Sequence, residues 1–324
     1  MELPILILIL LLVTGFIALV WSADIFVEAA AALARNLGVS ELVIGLTVVS
    51  IGTSAPEILV AVMDSYTTAP EIAIGNAIGS NIANMGLVLG VTALFVPLPY
   101  GKRIQKSEFP LLITATVLVA ICLANLEVGR LDGLLFLALF AFILYRFVIS
   151  SGRSKQFSEE IEHQLQGIPE MSVGKSILRS TVSLIILLVS ARLIVIAAEG
   201  IATRLEVNEM IIGLTVVACG TSLPELAVTL RAALKGGHAI AIGNIIGSNI
   251  LNLLVVLAVP AILHPSAITL MEYGRDFGVM FGLTVILGLF IYVSNRNDTI
   301  SRIHGAVFLI LYVSYITLLT TQTT

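Results

Sequence analysis

ELVIGLTVVSIGTSAPEILVAVMDSYTTAPEIAIGNAIGSNIANMGLVLG, residues 41–90, returns as EMIIGLTVVACGTSLPELAVTLRAALKGGHAIAIGNIIGSNILNLLVVLA at residues 209–258. The two stretches align without a gap at an offset of 168 residues, which carries Glu57 onto Glu225, Asn76 onto Asn244 and Asn84 onto Asn252; about half of the aligned positions are identical. Self-similarity at this level is internal duplication. The same offset pairs Ser22 and Ala23 with Ser190 and Ala191, so the duplicated unit reaches back into the preceding apolar run.

The chain around this repeat has 324 residues, of which 58% are hydrophobic and 12% charged. Its mean hydropathy of +1.05 lies outside the range of soluble globular proteins. The reading is an all-α polytopic membrane protein. A bilayer core about 30 Å thick takes roughly 20 apolar residues per helical crossing. Polar punctuation delimits ten candidate crossings, at 3–23, 41–66, 71–97, 108–125, 131–149, 176–200, 209–233, 239–263, 276–293 and 303–320. Five fall in each half. An odd number per half makes the second copy enter from the opposite side, so the expectation is two inverted five-helix repeats, residues 1–150 and 175–324, joined by a linker at 151–174.

Orientation follows from the basic residues. With the N-terminus on one side, thirteen of the 17 Lys and Arg fall on the other, among them Arg35, Lys102, Arg103, Lys155, Arg231, Lys235 and Arg302. That side is expected to be cytoplasmic, with both termini outside and the chain in the plasma (inner) membrane. The N-terminal run lacks a basic leader and reads as a retained first helix. Cys122 and Cys219 sit in apolar runs without metal-like spacing, and the four histidines lie near loops. With a net charge of −4 and no basic face, no nucleic-acid role is expected. The expected partners are the lipid bilayer and inorganic cations, with no protein partner and no cofactor.

Each copy carries GTS-x-PE and then GN-x-x-GSN-x-x-N. Pro56 has no N–H and crowds the carbonyl of Gly52; Pro224 and Gly220 repeat this, so each helix is expected to break there and free backbone carbonyls at membrane depth. On a helix Thr53 and Ser54 share a face with Glu57, as Thr221 and Ser222 do with Glu225. Asn76, Ser80 and Asn84 form a stripe at i, i+4 and i+8, repeated by Asn244, Ser248 and Asn252, and flanked by the small-residue pairs Gly75/Gly79 and Gly243/Gly247. The convergent groups are all oxygen donors, which suits a hard cation such as Ca²⁺ or Na⁺. Glutamates at membrane depth are functional by default, since insertion scales put a central acid at about 2.5 kcal/mol or more. Asp24, Glu28, Arg192 and Glu199 are read instead as snorkelling or salt-bridged groups near helix ends, and Asn81 and Asn249 as packing residues.

Two other classes are weaker. A cation channel gathers its acids by subunit symmetry and has no need of an inverted repeat. An intramembrane enzyme lacks support, because there is no H-E-x-x-H and GTSAPE lacks the second glycine of G-x-S-x-G.

At these residues the chain resembles the cation/calcium exchanger superfamily, specifically its prokaryotic sodium/calcium exchanger-like members. The resemblance covers both halves and implies a ten-helix antiporter that moves Ca²⁺ against Na⁺, or against H⁺. It implies that Glu57 and Glu225 are the central ligands, with Thr53, Ser54, Thr221 and Ser222 beside them. Ser80, Asn84, Ser248 and Asn252 are implied as further ligands, with the backbone carbonyls of Ser50 and Ala218. One departure stands out: sodium/calcium members tend to carry an aspartate at one of the positions held here by Asn84 and Asn252. Two carboxylates formally neutralise one Ca²⁺ or two Na⁺, which raises the standing of proton coupling or of an altered sodium stoichiometry. The short central connection leaves no room for the large calcium-sensing region of animal exchangers.

Overall fold

The computed structural model describes residues 4–66, 70–151, 171–205, 218–270, 273–293 and 298–322. The first helix, α1 (Ile5–Leu37), is longer than its expected crossing and ends where Gly38 adopts φ 64°, its N–H returning to the carbonyls of Ala34 and Arg35. It runs on past residue 23 because Ala29–Ala34 keep it apolar and because Asp24 and Glu28 meet cations. Arg231 Nε donates to Asp24 Oδ1 at 2.9 Å, and Lys235 Nζ lies 2.8 Å from Asp24 Oδ1 and 2.7 Å from Glu28 Oε1. The salt-bridge reading of these acids holds, although the bridge joins two helices rather than a loop.

The first copy of the repeat continues with α2 (Glu41–Ile44), a π-helical turn at Gly45–Val49, α3 (Ser50–Thr53) and α4 (Ala55–Tyr66). The helices before and after Ser54 are bent by 44°. Then come α5 (Pro70–Ala83), a second π turn at Asn84–Leu89, and α6 (Gly90–Phe95). Helices α7 (Phe109–Leu123) and α8 (Arg130–Ser151) complete the first half.

The second half repeats these bounds. Helix α9 (Val173–Arg204) corresponds to α1, α10 (Ala218–Thr221) to α3, α11 (Leu223–Leu234) to α4, α12 (His238–Leu251) to α5 and α13 (Ala258–Leu263) to α6, every start displaced by 168 residues. The π turn at Asn252–Val256 corresponds to that at Asn84. Helices α14 (Gly278–Val293) and α15 (Arg302–Gln322) match α7 and α8 at slightly larger offsets.

Two small antiparallel ribbons modify the all-α expectation: β1 (Leu98–Pro99) pairs with β4 (Thr299–Ile300), and β2 (Glu127–Val128) with β3 (Ser266–Ala267). Each ribbon ties a loop of one half to a loop of the other, which satisfies backbone groups at the ends of the bundle.

Among the described residues seven helices are long and apolar enough to cross a membrane, and eight when Glu41–Thr53 and Ala55–Tyr66 are taken as one bent span. The expected crossing at 209–233 lies partly outside the described residues. Large apolar side chains face outward, with Leu131 83% and Ile303 75% exposed, while small residues such as Ala23, Ala30, Ala73 and Ala241 fill the interior. That is the distribution a lipid solvent selects, because helices gain by close backbone approach and apolar side chains lose nothing by facing acyl chains. Backbones approach closely at the repeat: a Cβ on Gly243 would sit 2.7 Å from Leu42 O, and one on Gly45 would sit 2.7 Å from Ile240 O.

Candidate cation site

The site is built where the two broken helices meet the two π turns. Ser54 leaves the helical path at φ −87°, ψ 9°, and its counterpart Ser222 does the same at φ −90°, ψ 5°. Each break is the position two residues before a proline, and Glu57 and Glu225 occupy the first turn of the helix that restarts. The N-terminus of that helix favours negative charge. Helix α11, carrying Glu225, packs against the π turn that opens at Asn84, and α4, carrying Glu57, packs against the π turn that opens at Asn252. A π turn adds one residue to the helical cycle and so re-aims the side chain at its start. Sequence spacing set each asparagine on a regular stripe and did not anticipate these turns.

Glu57 and Glu225 are both 1% exposed, and each carboxylate acts electrostatically on the other. A buried carboxylate is costly unless paired or hydrogen-bonded. Glu225 is partly satisfied: Ser54 Oγ donates to Glu225 Oε1 at 3.0 Å and stands 3.1 Å from Ser248 Oγ, and Thr53 is within hydrogen-bonding reach of the same carboxylate. The symmetry mate of this cluster is Ser222, Glu57 and Ser80. There Ser222 Oγ, both oxygens of Glu57 and Ser80 Oγ are buried without a hydrogen-bond partner among the described residues. The same is true of Glu225 Oε2 and of both amide atoms of Asn84 and of Asn252. Seven of these unpartnered atoms are oxygens, comparable to the six to eight that Ca²⁺ takes.

The remaining residues take distinct places. Thr53 Oγ1 approaches Ser50 O at 3.4 Å and Asn244 Oδ1 at 3.2 Å. The Ser50 carbonyl also accepts from Ser54 N at 2.9 Å, leaving a second lone pair. Thr221 lines a cavity, and Ala218 opens α10 beside residues outside the described set. Asn81 and Asn249 each donate Nδ2 to the carbonyl four residues back, at 3.1 and 2.7 Å, as packing residues do. No group of three or more His, Cys, Asp or Glu gathers among the described residues, so the donor set is two carboxylates with hydroxyl and amide oxygens.

A cavity of about 380 Å³ reaches this region along the first-half stripe. Gly75, Asn76, Gly79, Ser80 and Thr221 line it, and Arg275, Asp276 and Tyr315 stand along its wall. Arg275 Nε binds Asp276 Oδ1 at 2.7 Å and Tyr315 donates to the same oxygen at 2.9 Å. The matching face of the second half is filled: a Cβ on Gly247 would meet Leu46 O and Ser50 Oγ, each at 2.7 Å. Thr229, Asp276 and Tyr315 escaped the sequence reading. The available signal for Thr229 was that it lacks a like residue at the matching place in the first half, which has Ala61, whereas Asp276 falls at the same offset on Glu108, another acid.

A sequence profile described as sodium/calcium exchanger protein matches residues 7–149 and 175–321, both halves without the linker. The chain is 33% identical to the sodium/calcium exchanger MaX1 of Methanosarcina acetivorans, over 96% of this chain and 97% of that one. It is 38% identical to the inner membrane protein YrbG of Escherichia coli over 86% and 87% of the two chains. Among solved structures it is similar to the sodium-calcium exchanger NCX_Mj, with a TM-score of 0.83 at 35% identity, covering 98% of this chain and 100% of that one.

Proposed function

The chain belongs to the sodium/calcium exchanger protein family, membrane-spanning transporters rather than enzymes, and on that premise we propose that it exchanges Ca²⁺ for Na⁺ by alternating access. In this reading ten crossings form two inverted repeats, residues 1–150 and 175–324, flanking a cytoplasmic linker at 151–174, with both termini outside. Glu57 and Glu225 hold the cation at mid-membrane. Thr53, Ser54, Ser80, Asn84, Thr221, Ser222, Ser248 and Asn252, with the carbonyls of Ser50 and Ala218, complete the ligand set.

The observation that carries the proposal is the unequal state of equivalent groups. Ser54 is bonded to Glu225 and Ser248, whereas the side-chain oxygens of Ser222, Glu57 and Ser80 have no partner among the described residues and the cavity reaches Ser80 and Thr221. Two copies of one motif in two arrangements are what an inverted-repeat carrier needs, since exchanging the arrangements moves the access from one side to the other. A cation entering by the cavity meets the unpartnered oxygens of the Glu57 half first. Closing that half as the Glu225 half is closed would desolvate the ion between the two carboxylates.

The test is Ca²⁺ flux in proteoliposomes under an imposed Na⁺ gradient and then under a pH gradient alone. Concentrative, Na⁺-driven uptake is expected in the wild type, and Glu57→Gln or Glu225→Gln should abolish it. Wild-type flux in both variants would refute the ligand assignment. The presence of amides at both Asn84 and Asn252 favours H⁺/Ca²⁺ exchange as the second reading; uptake driven by pH and indifferent to Na⁺ would select it.

A further inference from the structure

The two halves also differ in what stands behind their threonine ligands. Asn244 is fully buried between two hydroxyls: its Nδ2 donates to Thr229 Oγ1 at 2.9 Å, and its Oδ1 lies 3.2 Å from Thr53 Oγ1. Thr229, one helical turn after Glu225, is itself fully buried. In the first half the equivalent of Thr229 is Ala61, and the equivalent amide, Asn76, has a buried Nδ2 without a partner among the described residues. One polar contact is therefore built into one half-site and missing from the other.

We infer that Thr229 and Asn244 are positioning residues that orient the hydroxyl of Thr53 toward a bound cation. The inference rests on the reading of Thr53 as a ligand. An amide has one acceptor end and one donor end, so the bond from Nδ2 to Thr229 turns Oδ1 toward Thr53. Oδ1 and the Glu225 carboxylate both accept from Thr53, so when a cation occupies the Glu225 side the Thr53 proton goes to Oδ1 and the oxygen lone pairs of Thr53 face the ion. A hydroxyl that coordinates a cation must send its proton elsewhere, and here the acceptor is in place before the ion arrives. Pre-organisation of this kind raises affinity by reducing what binding must order. Ala61 gives Asn76 no such anchor, so the Thr221 half lacks this constraint.

The test uses Thr229→Val, which keeps the branched shape and removes the polar atom, and Thr229→Ser, which keeps the hydroxyl. Both are measured in the full chain with Ca²⁺ alone as the probe, by flux in proteoliposomes and by the Ca²⁺-dependent rise of the thermal midpoint in detergent. Thr229→Val should raise the half-saturating Ca²⁺ concentration about three- to tenfold, the scale of one neutral buried hydrogen bond, with the maximal rate within about twofold. Thr229→Ser should restore affinity. If the effect runs through Thr53, it should vanish in a Thr53→Val background, read from the thermal shift so that turnover is not required. Unchanged affinity in Thr229→Val, equal loss in Val and Ser variants, or full additivity with Thr53→Val would overturn the inference. A wild type without Ca²⁺ flux would instead count against the exchange function itself.

Discussion

A methyl group placed at Gly247 or at its repeat mate Gly79 should push the protein in opposite directions. At Gly247 a Cβ would stand 2.7 Å from Leu46 O, 2.7 Å from Ser50 Oγ and 2.8 Å from Leu46 Cα, all closer than real Cβ contacts allow, and two of them backbone. At Gly79, which lines the cavity, no described atom lies within 4 Å of the same position. Overpacking a close helix contact costs about 1–3 kcal/mol. If the halves exchange arrangements during transport, Gly247→Ala bears that penalty only in the form seen here, and Gly79→Ala only in the exchanged form. A difference of about 1–3 kcal/mol changes the ratio of the two forms by a factor of about 5–150. The assay is the labelling rate of Ile72→Cys, at the cavity wall, by a membrane-impermeant maleimide, with Cys122 and Cys219 replaced by alanine. Labelling should slow in Gly247→Ala and should not slow in Gly79→Ala, while melting curves show both variants folded. Equal slowing in the two variants, or no slowing in a folded Gly247→Ala protein, would refute the two-form reasoning.

Other consequences are more local. Asn252→Asp adds a third carboxylate beside Glu57's helix, and the Na⁺ dependence of Ca²⁺ flux should become stronger; an unchanged sodium response would remove the link between these amides and weak sodium coupling. Lys235 lies beyond the end of α11: partial burial lowers the affinity of its amine for a proton, but hydrogen bonds and charge from Asp24 and Glu28 outweigh this and hold its pKa above the ordinary value. Its contribution is thus full below the ordinary pKa of about 10.4 and lost as pH rises through the raised one. The thermal-midpoint difference between wild type and Lys235→Gln should stay level from pH 7 to 10 and shrink only above that. Gly305→Ala would place a Cβ 2.7 Å from Gly90 O and from Leu94 N and should cost about 1–3 kcal/mol, read as a lowered thermal midpoint, whereas Gly282→Ala, with no described atom within 4 Å of its Cβ position, should not.

Much of this molecule is legible in the chain alone. The starts of α1, α3 to α6 and their second-half counterparts recur at the offset of 168 residues that the aligned motifs display, because each copy carries much the same glycine and proline signals. The breaks at Ser54 and Ser222 follow from Pro56 and Pro224. The length of α1 was harder to read: Asp24 and Glu28 look like the end of a crossing until Arg231 and Lys235, some 207 residues away, are brought alongside. The π turns at Asn84 and Asn252 were hidden for a related reason. A π turn and an α turn use the same residues, and the choice is made by the packing of a neighbouring helix.

What the sequence determined by itself is the membrane class, the duplication and the kinds of oxygen donors available, since these depend on residue identity and spacing along one chain. Only the tertiary structure decided which donors are spoken for. Ser54 and Ser222 are the same residue in the same motif, yet Ser54 is bonded to partners 171 and 194 residues away and Ser222 Oγ has none among the described residues. A hydrogen bond exists only within about 3.5 Å, so its presence is set by how far apart the two halves' helices stand, a distance that identical motifs cannot encode.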